Sequence, residues 1–293
     1  MKKYYIIVFL LIGVISIALG YSQAEFSSED NKFNIDSYDI STLQGNENSK
    51  KIKIAILDTG IDKEHVSLSG KVKEEINIIS PGEKIYDSLG HGTAVAGIIA
   101  ASNNEIGIAP NSELYSVKVL DENGKGTIEN VIKGIEWAIE KDVDIINLSF
   151  GFSQDKAELK ETIDKAIAKG IIVVASAGNM YGLNVQYPAA YKNVISVAAV
   201  DQNQNAASFT ARGKIDFTAV GVDVKIIAPN NTLQVNSGTS LAAPYVTGVI
   251  ALILQNKDIF PKEQDKENYL YVYETLKNIA LDGSTSRFWT QKN

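Results

Sequence analysis

A regular alternation of short apolar runs with amphipathic segments, beginning at residue 51, is the feature that most constrains the fold. Strands of a parallel sheet covered on both faces are near-continuous apolar runs, and the helices between them carry an apolar stripe. The pattern therefore predicts an α/β fold of three layers, with a mostly parallel central sheet and helices on both faces. Five strands are expected, at Ile52–Leu57, Glu113–Leu120, Val143–Leu148, Ile171–Ala175 and Val194–Val200.

Four helices are expected between and after these strands. The segment Thr127–Glu140 places apolar residues at helical spacing, and Asp155–Lys169 is amphipathic with Gly170 as its C-terminal stop. The segments Ala94–Ala101 and Leu241–Leu254 are apolar on most faces, so we expect both to be buried. Ligands of such sheets bind beyond the carboxyl ends of the strands, which is where catalytic residues are to be sought.

The composition excludes several kinds of site. The chain of 293 residues contains no cysteine, which excludes disulfides, a cysteine nucleophile, a cysteine zinc site and an iron–sulfur cluster. Two histidines leave little room for a multi-histidine metal site. The formal net charge of −7 argues against nucleic acid as a partner, because phosphate binding needs a basic surface.

The first 24 residues have the organisation of a secretion signal. Met1-Lys2-Lys3 precedes an apolar run over Tyr4–Leu19, and Ser22-Gln23-Ala24 supplies small residues at a cleavage site. We expect cleavage after Ala24 and a secreted, extracellular protein with no membrane partner. The alternative is that the segment stays uncleaved and anchors the chain in a membrane.

The rest of the chain is expected to form one domain. Residues 25–50 are polar without strong periodicity, which indicates a surface arm with a flexible tip at Gly45–Ser49. Neither a linker nor an internal repeat interrupts residues 51–293. We expect this part of the chain to fold as a single unit and the protein to be a monomer.

Three short motifs lie where strands end or helices begin: Leu57-Asp58-Thr59-Gly60, Gly90-His91-Gly92-Thr93 and Gly238-Thr239-Ser240-Leu241. Each alone has an ordinary structural interpretation, with the carboxylate as a turn former, the histidine as a structural residue and the serine as a helix N-cap. The functional interpretation is a carboxylate, a base and a hydroxyl nucleophile at one edge of the sheet.

Together and in this order, the three motifs resemble the subtilisin-like serine proteases, the subtilase or S8 peptidase family. The resemblance covers residues 40–254, and it implies the subtilisin-like fold and hydrolysis of peptide bonds. It implies that Ser240 attacks the scissile carbonyl, that His91 accepts and returns the proton, and that Asp58 orients His91. It also implies that Asn179 donates a side-chain hydrogen bond to the oxyanion beside the backbone N–H of Ser240.

The same resemblance implies how a polypeptide substrate binds. Two segments, Gly124–Thr127 and Ser149–Gly151, are expected to flank an extended substrate and to hydrogen-bond to its backbone. Gln186 falls at the floor of the pocket for the residue before the scissile bond, so we expect a smaller and more polar pocket than an aromatic-preferring enzyme has. A cis bond is expected between Tyr187 and Pro188. The implied substrate-binding residues are Leu120, Gly124, Gly126, Ile128, Ser149, Phe150, Gly151, Ala177, Gly178 and Gln186.

Departures from the family concern metal ions and the pro-domain. No cofactor is expected for catalysis and no metal ligand is assigned. Many relatives bind calcium through an acidic residue where this chain has Ser67, and the loop Ser102–Gly107 is short, so we expect a high-affinity calcium site to be weak or absent. A weaker cation site near Ala189, Tyr191 and Asp216 remains open.

Two functions are compatible with these residues, and a third is disfavoured. The first is a secreted serine endopeptidase of broad or moderate specificity. The second is a dedicated processing protease that removes a leader or pro-segment from a specific secreted peptide, because residues 25–50 are too short for the folded pro-domain of secreted relatives. An inactive binding protein on the same scaffold is disfavoured, because all four implied catalytic residues are intact.

Overall fold

The computed structural model describes residues 33–34, 50–102, 106–256 and 267–282. One parallel sheet and one short hairpin account for the strands of this part of the chain. The sheet consists of β1 (Phe33–Asn34), β2 (Lys53–Asp58), β3 (Val72–Asn77), β4 (Glu113–Lys118), β5 (Ile145–Leu148), β6 (Ile172–Ser176), β7 (Ile195–Val200) and β8 (Phe217–Val220). Its order is β1-β8-β7-β6-β5-β2-β4-β3, and every neighbouring pair is parallel. The antiparallel hairpin pairs β9 (Val224–Ala228) with β10 (Thr232–Asn236).

Helices cover both faces of the sheet, as the sequence predicts. They are α1 (His91–Ala100), α2 (Ile128–Glu140), α3 (Ala157–Ala168), α4 (Thr239–Gln255) and α5 (Asn268–Asp282). Helices α1 and α4 pack on one face, and α5 contacts α4 and β1 on the same side. Helices α2 and α3 pack together on the other face.

Strand β2 illustrates why the sheet needs cover on both sides. Successive side chains of a strand point to opposite faces. Ile54 and Ile56 therefore lie in the core under α1 and α4, whereas Ala55 and Leu57 lie in the core under α2 and α3. All four side chains are buried, which is the pattern of a central parallel strand.

The five predicted strands and four predicted helices are all present, with shifts of up to three residues at their ends. The sequence reasoning missed β1, β3, β8, the β9–β10 hairpin and α5. Strand β1 lies in the segment expected to be only a surface arm, and it pairs with β8 at one edge of the sheet. Two residues are too few to produce a periodic pattern, so the backbone hydrogen bonds of a neighbouring strand define β1.

The architecture gathers several strand ends at one edge of the sheet. The carboxyl ends of β2, β4, β5 and β6 all lie there because these strands are parallel neighbours. No helix within the described residues has the length and apolar character needed to cross a membrane. The predicted signal segment 1–24, the arm tip 45–49 and residues 103–105 of the short loop lie outside the described residues.

Candidate active site

Asp58 and His91 are joined by a short hydrogen bond. Asp58 is the last residue of β2, and His91 is the first residue of α1. The Asp58 Oδ1 atom lies 2.7 Å from His91 Nδ1 and also accepts a hydrogen bond from the backbone N–H of Thr59 at 2.8 Å. The carboxyl of Asp58 is buried and the His91 side chain is about one-tenth exposed. The bond fixes the orientation of the imidazole ring and directs its other nitrogen away from the strand.

The charges around His91 make its ring more basic. Burial alone lowers the pKa of His91, because it disfavours the charged imidazolium. The negative charge of Asp58, its hydrogen bond to the ring and the charge of Asp87 together outweigh burial and raise the pKa of His91 above the ordinary value of 6.5. This histidine is therefore suited to accept a proton.

Ser240 lies beside His91 in a common cleft. It is the second residue of α4, where the positive end of the helix dipole is located. A cleft of about 130 Å³ is lined by His91, Asn179 and Ser240, among others. No hydrogen bond joins Ser240 to His91, and the buried Nε2 atom of His91 has no hydrogen-bond partner within the described residues. The nitrogen that a catalytic base would use is thus not engaged by another protein group.

Asn179 is held so that its amide nitrogen is free for another acceptor. Its Oδ1 atom accepts hydrogen bonds from the backbone N–H and the hydroxyl of Thr239, each at 3.0 Å. A β-carbon added to Gly238 would stand 3.0 Å from Ser240 Oγ and 3.4 Å from Asn179 Nδ2. Glycine at this position therefore keeps open the space between the nucleophile candidate and the amide donor.

The two predicted substrate-flanking segments lie on either side of Asp58. Gly124–Thr127 follows β4 and Ser149–Gly151 follows β5, and β2 lies between these two strands. Gly124 has a φ of 69°, and a β-carbon on Gly126 would approach Leu120 Cδ2 to 2.6 Å. Gly124 is therefore favoured by its positive φ, and Gly126 by the lack of space for a side chain, whatever their role in binding. Of the other implied substrate residues, Leu120, Ser149, Phe150 and Ala177 are buried and Ile128 is half-buried.

Gln186 fills the space between two glycines of the site. A β-carbon on Gly151 would lie 2.6 Å from Gln186 Cβ, and one on Gly178 would lie 2.5 Å from Gln186 Oε1. The backbone N–H of Gln186 donates to Ala177 O at 3.0 Å, which fixes the residue against that segment. The side chain thus closes the gap between the ends of β5 and β6 with a polar group. The next peptide bond, Tyr187–Pro188, is cis, which confirms the prediction.

Two charged side chains near the site were missed by the sequence reasoning. Lys118, at the end of β4, donates from Nζ to the carbonyl oxygens of Thr59 at 2.5 Å and Tyr86 at 3.3 Å. Asp87, four residues before His91, is buried and accepts several hydrogen bonds. An Asp in a polar loop looks like a turn former in sequence, so only the tertiary contacts identify it.

Within the described ranges, no cluster of three or more His, Asp or Glu side chains is placed to hold a metal ion. The backbone carbonyl of Ser67 accepts a hydrogen bond from Ser102 N at 2.8 Å, at the start of the short loop. The sequence leaves open a weaker cation site near Ala189, Tyr191 and Asp216. There, the Asp216 carboxylate is already paired with Lys214 Nζ at 2.5 Å. Lys214 also donates to the backbone carbonyl of Val194.

Comparison with known proteins was consistent with the motifs. The sequence model of the subtilase family matches residues 49–288. Subtilisin DY of Bacillus licheniformis is 44% identical over 211 residues, which cover 69% of this chain and 76% of that protein. Subtilisin BL of Lederbergia lenta is 40% identical over 81% of this chain and 86% of that protein. Alkaline elastase YaB of Bacillus sp. strain YaB is also 40% identical over 81% of this chain, but the matched part spans only 61% of that protein.

Proposed function

Because this chain belongs to the subtilase family and is a serine-type endopeptidase, we propose that Asp58, His91 and Ser240 form its catalytic triad. The observation that carries the proposal is the 2.7 Å hydrogen bond that His91 Nδ1 donates to Asp58 Oδ1, beside a cleft that His91 shares with Ser240. The proposal is supported by the positions of these residues at the end of one strand and at the starts of two helices.

The chemistry follows from the order of the contacts. Ser240 Oγ attacks the scissile carbonyl carbon, and its proton passes to His91 Nε2. Asp58 holds the opposite nitrogen and stabilises the imidazolium that results. His91 then gives the proton to the leaving amine, and a water molecule releases the acyl group from Ser240 by the same steps. A hydroxyl–imidazole hydrogen bond is often long without substrate and tightens when substrate binds.

We propose that Asn179 and the backbone N–H of Ser240 stabilise the oxyanion. The contacts of Asn179 Oδ1 with Thr239 leave Nδ2 as the group available to the substrate oxygen. The N-terminus of α4 adds the partial positive charge of its unpaired N–H groups. Loss of one such donor lowers kcat on the order of 100- to 1000-fold.

The substrate is a polypeptide, and its proposed path runs between the segments Gly124–Thr127 and Ser149–Gly151. Main-chain hydrogen bonds to such segments provide affinity without sequence selectivity. Selectivity is proposed to come from Gln186, whose amide occupies the space between Gly151 and Gly178. This arrangement favours small or polar side chains before the scissile bond. Nothing in the described residues favours a dedicated processing enzyme over a general endopeptidase.

We further propose that the enzyme acts outside the cell as a monomer and that catalysis needs no cofactor. The charged, apolar and small-residue segments of residues 1–24 support export. A high-affinity calcium site is proposed to be weak or absent, because Ser67 provides no carboxylate at the position in question.

The test is casein hydrolysis by the purified enzyme, with and without a serine-directed fluorophosphonate, beside the variants Ser240→Ala and Ser208→Ala. Ser208 is an exposed serine in the loop after β7 and serves as the matched control. The proposal predicts hydrolysis by the wild type and by Ser208→Ala, and none with the inhibitor or in Ser240→Ala. Undiminished hydrolysis by a folded Ser240→Ala would contradict it.

A further inference from the structure

The carboxyl of Asp87 has an unusual set of partners for a loop residue. It is buried, with 6% of the residue exposed. Its Oδ1 atom accepts hydrogen bonds from Gly90 N at 2.9 Å and from the Thr59 hydroxyl at 2.7 Å. Its Oδ2 atom accepts from the N–H and the hydroxyl of Thr93, at 2.8 and 2.6 Å. Four acceptor positions of one carboxylate are thus occupied by protein donors.

These bonds take the place of a helix cap. The N-cap residue of α1 is Gly90, which has a φ of 80° and no side chain to cap the helix. The first N–H groups of a helix need acceptors from outside the helix. Asp87 supplies them for Gly90 and Thr93, and the Thr59 hydroxyl supplies one for Gly92 at 3.0 Å. The start of α1 is therefore fixed by groups that do not belong to the helix.

The same bonds connect the helix to the end of β2. Thr59 follows Asp58 directly, and its N–H donates to Asp58 Oδ1 at 2.8 Å. Its hydroxyl donates to Asp87. A β-carbon on Gly92 would collide with the backbone carbonyl of Gly60, so the two segments already touch. Any movement of the Asp87 carboxylate would therefore change the position of His91 relative to Asp58.

We propose that Asp87 is a positioning residue of the catalytic site, whose carboxylate fixes the start of α1 on the end of β2 and thereby holds the His91 ring against Asp58. This inference rests on the proposed function of His91 as the catalytic base. Asp87 makes no contact with the imidazole and acts through Thr59, Gly90 and Thr93.

The charge of Asp87 has a second effect, on the base itself. Burial lowers the pKa of His91, whereas Asp58 and then Asp87 raise it. Among the described residues, Lys118 places a cation close to this end of β2, where its Nζ donates to the carbonyls of Thr59 and Tyr86. Removing the negative charge of Asp87 while Lys118 stays should therefore lower the pKa of His91.

The first test compares Asp87→Asn with Asp144→Asn. The asparagine has the same size but cannot accept hydrogen bonds through its NH₂ group, so donors at the helix start lose partners. Asp144 is the matched control, because it accepts a hydrogen bond from Lys53 N at 2.9 Å at the opposite end of β2. We expect kcat/KM to fall about 10- to 100-fold in Asp87→Asn. The fall should come from kcat more than from KM. The acid limb of the pH profile should move to lower pH. Asp144→Asn should retain both kcat/KM and the acid limb.

The second test measures the His91 pKa directly by NMR in the Ser240→Ala background, where hydrolysis cannot interfere. The chain contains only two histidines, so the two ring signals can be assigned with one substitution. Burial lowers the pKa of His65, against the opposing charge of Asp62, so the two titrations are separated. Asp87→Asn should move the titration of His91 to lower pH and leave that of His65 unchanged. Asp87→Glu keeps the negative charge, so the titration of His91 in this variant should stay close to that with Asp87 unchanged.

Two substitutions of Thr59 test the same hydrogen bonds if Asp87→Asn does not fold. Thr59→Val removes the hydroxyl that joins Asp87 to Gly92, and Thr59→Ser keeps it. Thr59→Val should lower kcat/KM and Thr59→Ser should stay close to the wild type. A folded Asp87→Asn with wild-type kcat/KM and an unshifted His91 titration would overturn the inference. Failure of the proposed function would look different, because Ser240→Ala would then hydrolyse casein as well as the wild type.

Discussion

Gln186 is the side chain that we propose to determine which peptide bonds are cut. Its β-carbon and amide oxygen fill the gap between Gly151 and Gly178, where a larger pocket would otherwise open. A substrate side chain that enters this region meets a carboxamide rather than an apolar floor. On the proposed substrate path, a residue that takes no part in the proposed chemical step sets the preference of the enzyme.

Replacing Gln186 by glycine should widen the accepted range of substrates. The substitution removes the amide and opens apolar space, so kcat/KM for a peptide with Phe before the scissile bond should rise about 10-fold relative to one with Ala. Paired peptide substrates that differ only at that position measure the ratio. Gln202→Gly, in an exposed loop, is the control and should leave the ratio unchanged. An unchanged ratio in Gln186→Gly would mean that the pocket lies elsewhere.

Among single residues, the sequence pointed to the candidate site residues that lie in a strong motif. It missed those whose place in the site depends on tertiary contacts. Asp58 and His91 were expected close together from their motifs. In the structure, Asp58 Oδ1 lies 2.7 Å from His91 Nδ1. Asp87 carries no local signal, since its partners Thr59 and Thr93 are brought to it by the packing of a strand end against a helix start. A loop carboxylate can be assigned only when those partners are known.

Helix α1 carries His91, the proposed catalytic base, as its first residue. It is built largely from small residues, and nine of its ten positions are buried. Glycine at position 97 allows β9 to approach, because a β-carbon there would lie closer to Ile227 than van der Waals contact permits. The sequence predicted the burial of this helix from its apolar residues. It did not predict β9 and β10, because every residue of β10 is exposed and no alternating buried face marks that strand.

Gly97→Ala should destabilise the protein although alanine favours helices. The gain in helix propensity is about 1 kcal/mol, whereas overpacking against Ile227 costs about 1–3 kcal/mol. Urea unfolding measures the net loss. In an Ile227→Ala background the clash is absent, so the same glycine substitution should then be neutral or stabilising. Equal destabilisation in both backgrounds would show that Ile227 is not the constraint.

Lys214 joins the segment before β8 to the segment before β7 through its ammonium group. Asp216, just before β8, accepts hydrogen bonds from the N–H and hydroxyl of Ser196 at 2.9 and 3.0 Å. Lys214 neutralises this carboxylate and also bonds to the carbonyl of Val194. The Lys214 ammonium group is therefore already paired with the carboxylate considered for the weaker cation site near Ala189, Tyr191 and Asp216. The sequence showed the acidic residue but not which side chain would reach it.

The stability of the enzyme should therefore depend on Lys214 rather than on added metal ions. The thermal midpoint should stay unchanged when a calcium chelator is added. Lys214→Met should lower it by about 2–10 °C, because the Asp216 carboxylate loses its ion-pair partner and keeps only the donors of Ser196. Lys160→Met, which breaks an exposed ion pair with Asp164, is the control and should change the midpoint little. A large fall with chelator would contradict the expected weakness of the calcium site.

The most direct measurement of the central claim is the site and pH dependence of fluorophosphonate labelling, followed by peptide mass mapping. In the proposed mechanism, the reaction needs Ser240 activated by a neutral His91. Because the pKa of His91 is raised above 6.5, the labelling rate should fall as pH decreases through a midpoint above that value. We expect a single adduct on Ser240 and very slow labelling of His91→Ala. An adduct on another residue, or equal labelling of a folded His91→Ala, would contradict it.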